Sequence, residues 1–263
     1  MFPDLFSIGP LTIHAYGLFF TLGITVGLLV ALRFGIDQGM NPLMILDMGF
    51  FIILFALLGS RLAYVILNIS YYRDHVLDML KIWDGGLVFS GGLLAVLLVL
   101  GWYSKPNRLS FLKIGDLWAP SAAIGQGIGY LGCFLAGCCY GKPTKVSWGV
   151  IFTHPSSLAP LKIPLHPTQI YGALSEFIIF IVLLKLHAKK RFEGQMFIWF
   201  MILHSTAQLF LERFRGDARG LIPGGEMTIN QLSALLFLFA SVIALFLRKP
   251  KTNHHENSKV RKS

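Results

Sequence analysis

Arginine, histidine and cysteine stand out in this chain because almost everything around them is apolar. Arg61 lies in GSRLAYVI with apolar residues on both sides, and Glu212, Arg213 and Arg215 sit together in LERFRGD. A guanidinium within an apolar helix costs about 2.5–3.5 kcal/mol on insertion scales, so Arg61 implies an anionic ligand or a structural partner such as Glu176 or Glu212. Two arginines beside a carboxylate match phosphate oxygens bidentately, and they also serve as interfacial anchors. His204, Gln208 and Glu212 recur every fourth residue, so they share one helical face that should turn inward and hydrogen-bond to neighbouring helices. His166 in HPTQIY suits anion binding or proton transfer, while Thr168 after Pro167 suits a helix start.

All three cysteines, Cys133, Cys138 and Cys139, fall in GQGIGYLGCFLAGCCYGKPT. Cys133 and Cys138 are five positions apart and do not share a helical face cleanly. The set is not C-x-x-C and no histidine adjoins it, so this spacing predicts no metal site. Gly125, Gly129, Gly132 and Gly137 point instead to close helix packing, where a small buried cysteine is also tolerated.

The elements that carry these groups follow from composition. Of 263 residues, 54% are hydrophobic and 14% charged, against about 25% charged in a soluble domain. The formal charge of +10 therefore belongs to a polytopic all-α integral membrane bundle rather than to a nucleic-acid binder. Three neighbouring cysteines exclude an extracellular disulfide framework. The N-terminus has no basic residue before its first apolar run, so it is expected to stay in the mature chain.

Seven segments are long enough to cross a bilayer, near Tyr16–Leu32, Met44–Asn68, Leu87–Trp102, Leu117–Cys139, Ile170–Leu186, Met196–Leu211 and Ile229–Leu247. Pro120 and repeated glycines interrupt the fourth. With the N-terminus outside and the C-terminus cytoplasmic, 14 of the 23 basic residues fall inside, as the positive-inside rule prefers. Residues 1–250 form one transmembrane domain with a long outer loop at 141–167. Residues 251–263 form a basic, disordered tail suited to an anionic inner leaflet. In this topology His14, Tyr16, Arg61, GGLVFSGG, the cysteines, HPTQIY and Glu212–Arg215 all converge on the outer face.

Taken in order, HAYGL, GSRLAYVI, GGLVFSGG, GYLGCFLAGCCYGK, HPTQIYG and LERFRGD resemble the prolipoprotein diacylglyceryl transferase family from His14 to Asp217. The resemblance implies a bacterial inner-membrane enzyme whose active site opens near the periplasmic face. Its substrates would be phosphatidylglycerol and prolipoprotein signal peptides, among other membrane lipids, with no cofactor and no nucleic acid. Arg215, Glu212, His14, Tyr16 and His166 are then catalytic candidates. Arg61, Arg213, Tyr130, Gly141, Lys142, Gln169 and Ser90 are candidates for binding the phospholipid.

The family signature resembles G-R-x-G-N-F-x-N-x-E-x-x-G-R. In this chain Tyr130 stands at its arginine, Cys133 at an asparagine, Ala136 at another polar residue and Cys138 at the glutamate. Ser90 stands where the family often has a histidine proposed as the base. Gly129, Gly132, Phe134, Gly137, Tyr140 and Gly141 keep the scaffold. Two further readings accompany the transferase: a paralogue that binds an anionic phospholipid or transfers another lipid group, and a membrane thiol or metal protein using Cys133, Cys138 and Cys139.

Overall fold

A backbone in lipid must satisfy its own polar groups, and each of the apolar runs does so as a helix. The computed structural model describes residues 3–8, 11–81, 85–217 and 227–247. Among these, α1 (Ala15–Asp37), α2 (Pro42–Leu67), α4 (Phe89–Ser104), α5 (Phe111–Ala136), α6 (Thr168–His187), α7 (Gln195–Glu212) and α8 (Ile229–Leu247) coincide with the seven predicted segments. A one-turn α3 (Ile69–Tyr72) and a 3-10 turn (Val76–Leu80) follow α2. By length and composition α1, α2, α6 and α8 can each cross a membrane. Leu29, Leu62, Leu98 and Phe239 are all more than half exposed, an apolar exterior that suits lipid and not water. The tail at 251–263 and Arg219 lie outside the described residues.

The predicted interruption at Pro120 does not occur: α5 runs unbroken through it. This helix is the hub, packed on α1, α6 and α7. Its partner α1 buries Gly23, Gly27, Ala31 and Gly35, one small residue per turn, which lets the two backbones approach. A Cβ on Gly23 would stand 2.6 Å from the Gly125 carbonyl oxygen, and one on Gly132 would stand 2.8 Å from Phe19 Cβ. Gly129 departs from the packing expectation, since the space beside it is open. At one end of the bundle the buried Asp116 of α5 accepts from the amides of Gly194 (2.7 Å) and Phe197 (3.0 Å) and from Lys190 Nζ (2.8 Å). It thereby caps α7 and ties the α6–α7 turn to the hub.

The opposite end carries the connections of interest. A hairpin of β1 (Asp4–Ile8) and β2 (Leu11–His14), absent from the sequence reading, precedes α1 and pairs Asp4 with His14. The 137–167 connection has structure of its own. Its strands β3 (Val150–Ile151) and β4 (Pro164–Leu165) pair, and Phe152, Ala159 and Leu165 form a small core of their own.

Candidate active site

The site grows from the way α5 ends. Gly137 adopts φ +79°, and a Cβ there would collide with Ser157 Oγ, so only glycine fits this left-handed stop. Cys139 is also left-handed at φ +57°, an unusual conformation for a residue with a side chain. Two buried residues of α6 hold the turn: Thr168 Oγ1 donates to the Cys139 carbonyl (2.6 Å) and Gln169 Nε2 to the Cys138 carbonyl (2.7 Å). Thr168 thus grips another segment instead of capping its own helix. The turn brings all three sulfurs within 4.8 Å of one another. The inference from their spacing is corrected here, because helical periodicity ends at Ala136, before Cys138.

The chain beyond the turn is clamped between two neighbours. Gly141 N donates to His166 O (3.1 Å), His166 N to Lys142 O (3.0 Å), Lys142 N to Phe214 O (2.7 Å) and Gly216 N to Tyr140 O (3.0 Å). A Cβ on Gly141 would collide with the His166 carbonyl, so a glycine is required for this three-way approach. The ladder fixes Arg215 opposite Gly141. Its buried guanidinium makes a bidentate pair with Asp217, Nε to Oδ1 at 2.9 Å and Nη2 to Oδ2 at 2.7 Å, and also bonds to Cys139. Burial alone would lower the Arg215 pKa. The bonds to Asp217 and Cys139 outweigh it and raise the pKa above its ordinary value, so the charge is permanent.

Other candidates sit on neighbouring elements. Lys142 Nζ donates to Arg213 O (3.0 Å), while the side chain of Arg213 is exposed. The His166 ring packs on Phe214 with centroids 5.1 Å apart, and its Nδ1 lies 3.3 Å from the Tyr171 hydroxyl. That hydroxyl accepts from Trp148 Nε1 at 2.6 Å. The backbone of Tyr16 lies against Gly132, and its ring stacks on Phe20. His14, mostly exposed, bonds through Nδ1 to Asp4 Oδ1 at 2.7 Å. Ser90 is half-buried in the first turn of α4.

The stripe predicted on α7 turns inward, and each member meets a different partner. His204 Nδ1 lies 2.6 Å from Glu176 Oε1 of α6, and Gln208 Nε2 donates to the Tyr130 hydroxyl of α5 at 2.8 Å. Glu212 Oε2 accepts from Thr228 Oγ1 at 3.3 Å, just before α8. Tyr130 therefore fills its position as a neutral member of this network, its ring packed on Gly172.

Arg61 does not need the acidic partner considered from sequence. Its guanidinium donates to the carbonyls of Asp78 (2.6 Å), Met79 (2.9 Å), Gly85 (2.6 Å) and Gly86 (3.3 Å) and lies over the Tyr64 and Tyr72 rings. It staples the α2–α4 connection. Hydrogen bonds to charged groups contribute about 1.5–3 kcal/mol each. Losing this staple in Arg61→Ala should speed amide exchange at residues 76–81 and 85–88 by roughly 10–100-fold. Unchanged exchange there would refute the staple.

The structure thus joins Cys133, Cys138, Cys139, Gly141, Lys142, His166, Gln169 and Arg215 in one centre and gives Arg61 a separate task. Sequence reasoning matched Asp217 to the polar end of its helix in LERFRGD without giving it a role, and it missed Asp4 and Trp148, which carried no signal.

The chain as a whole is similar to known proteins. The family described as prolipoprotein diacylglyceryl transferase matches residues 3–247. A phosphatidylglycerol–prolipoprotein diacylglyceryl transferase of Clostridium tetani is 35% identical over 247 residues, 94% of this chain and 96% of the relative. That of Geobacter sulfurreducens is 32% identical over 255 residues, covering 95% and 96%. That of Nitrosomonas europaea is 36% identical over 234 residues, covering 87% and 81%. With a family match from residue 3 to residue 247, across all its described helices, the chain belongs to the prolipoprotein diacylglyceryl transferase family.

Proposed function

We propose that this protein transfers the diacylglyceryl group of phosphatidylglycerol to the lipobox cysteine of prolipoproteins. In this reading seven helices cross a bacterial inner membrane, with the N-terminus outside, the C-terminus cytoplasmic and the site toward the periplasm. The names of its relatives support the substrates. The observation that carries the reading is a buried, permanently charged Arg215 at the rim of an apolar bundle.

The reaction needs two things from the chain. The lipobox sulfur attacks the glycerol carbon that carries the phosphate ester, forming a C–S bond as the C–O bond breaks. The departing glycerol phosphate takes the electron pair, and the thiol proton passes to a base. Arg215, oriented by Asp217, stabilises the charge on the departing phosphate, with Lys142 as a second cation. Arg215 thereby takes over work that the signature arginine does elsewhere, since Tyr130 is neutral.

The two outer histidines divide by tautomer. Trp148 donates to the Tyr171 hydroxyl, which leaves that hydroxyl's own proton for His166 Nδ1. His166 Nε2 then carries hydrogen and serves as a donor to the phosphate. At His14 the Asp4 carboxylate accepts from Nδ1–H, so Nε2 keeps its lone pair and serves as the general base. Tyr16, Ser90, Gln169, Arg213 and Glu212 shape the lipid pocket around this centre. Expression in a bacterium depleted of its own transferase should restore growth and the size shift of mature lipoproteins. Failure by a membrane-inserted, full-length protein would contradict the proposal.

A further inference from the structure

The three cysteines form a built site that the transfer reaction does not use. Their sulfurs lie within 4.8 Å of one another and are half-buried. The turn that gathers them is held from outside by the buried Thr168 and Gln169, through the carbonyls of Cys139 and Cys138. It is locked from within by left-handed Gly137 and Cys139. The trio is therefore not an accident of a mobile segment: buried hydrogen bonds keep Cys139 in a conformation that its side chain disfavours.

The spacing matches a metal. Thiolates bound to zinc at about 2.3 Å stand roughly 3.8–4.0 Å apart around the ion, so the observed trio needs only a small contraction. Three protein ligands leave a fourth coordination position open, the pattern of an accessible rather than a closed structural site. Charge selects within the soft metals. Three thiolates and a divalent ion sum to one negative charge, which the Arg215 guanidinium bonded to Cys139 complements; a monovalent ion would leave two. Hard cations such as magnesium and calcium are excluded by the sulfur ligands.

From this geometry we infer that Cys133, Cys138 and Cys139 form a three-thiolate binding site for a thiophilic divalent cation of the zinc and cadmium class. The inference concerns binding and stands apart from the transferase reading, so either can fail without the other.

The test uses full-length protein in detergent, reduced and then freed of reductant, titrated with cadmium. The readout is the sulfur-to-cadmium charge-transfer absorbance, because the two tail histidines, His254 and His255, also bind such ions but do not produce that band. One saturating equivalent is expected, weakened by roughly 100-fold or more in each of Cys133→Ser, Cys138→Ser and Cys139→Ser. Because a serine variant can fail through misfolding, maleimide labelling of the wild-type protein gives a second measure. Three thiols should react without cadmium, and all three should be protected with it. No band from protein with three countable thiols, or a band that survives in folded Cys139→Ser, would overturn the site.

Discussion

Replacing Arg215 by alanine is expected to cut diacylglyceryl transfer by roughly 10²–10³-fold, the usual cost of removing one preorganised group that stabilises developing charge. The loss should fall on kcat, because the phosphate gains its extra charge only as the C–O bond breaks. Arg215→Lys should recover little. A lysine keeps the charge but lacks the planar fork that pairs with both oxygens of Asp217. Asp217→Asn tests the same arrangement from the other side. It leaves the guanidinium in place but unaimed, so it should lower kcat less than Arg215→Ala does. Initial rates at saturating phosphatidylglycerol, measured for all three variants against wild type, check the series. If Arg215→Ala raised only KM, Arg215 would be a binding contact and not a stabiliser of the leaving group.

The second large effect lies at the opposite end of the bundle, at Asp116. Its carboxylate is almost wholly buried and is bound by two backbone amides and by Lys190. Asp116→Ala strands an ammonium group and two donors at once. Breaking a buried pair from one side costs about 3–5 kcal/mol, a large share of the 5–15 kcal/mol that holds a typical domain together. Asp116→Asn retains one acceptor oxygen and should lie between alanine and wild type. Thermal unfolding in detergent, followed by circular dichroism, should rank the three in that order. A wild-type midpoint for Asp116→Ala would mean that the α6–α7 turn is held by apolar packing alone. Activity measured below the lowered midpoint should be near normal, which separates this residue from Arg215.

What could be read in the sequence and what could not divide along physical lines. The stripe of His204, Gln208 and Glu212 was legible because helical periodicity is local, and it meets three neighbouring elements as an inward stripe must. The segments that became helices were legible for the same reason, through uninterrupted apolar length. Pro120 looked like an interruption, yet α5 continues through it, packed on α1, α6 and α7. The partners of Arg61 were not legible, because they are backbone carbonyls 17 to 25 residues away and any residue type supplies a carbonyl. Asp4 and His14 are likewise joined only by the register of a hairpin. The cysteines carried the opposite lesson. Their spacing was read as if the helix continued, whereas Gly137 ends it and folds Cys138 and Cys139 back toward Cys133.

The same contrast separates the backbone scaffold of the site from its side chains. Gly132 and Gly141 are required by close contacts with α1 and with residues 166 and 214. Tyr130 packs on Gly172 and accepts from Gln208, while the sulfurs of Cys133 and Cys138 gather with that of Cys139. Arg215 is fixed by the backbone ladder through Gly141, which holds a strong cation beside the cysteine turn.

The most direct test of this account is mass spectrometry of a lipobox peptide incubated with the purified protein and phosphatidylglycerol in detergent. The account predicts a diacylglyceryl mass addition on the peptide cysteine, with release of glycerol phosphate, and loss of both in Arg215→Ala. An unmodified peptide, in a mixture where an unaltered family member is active, would contradict it and identify this chain as a scaffold turned to another use.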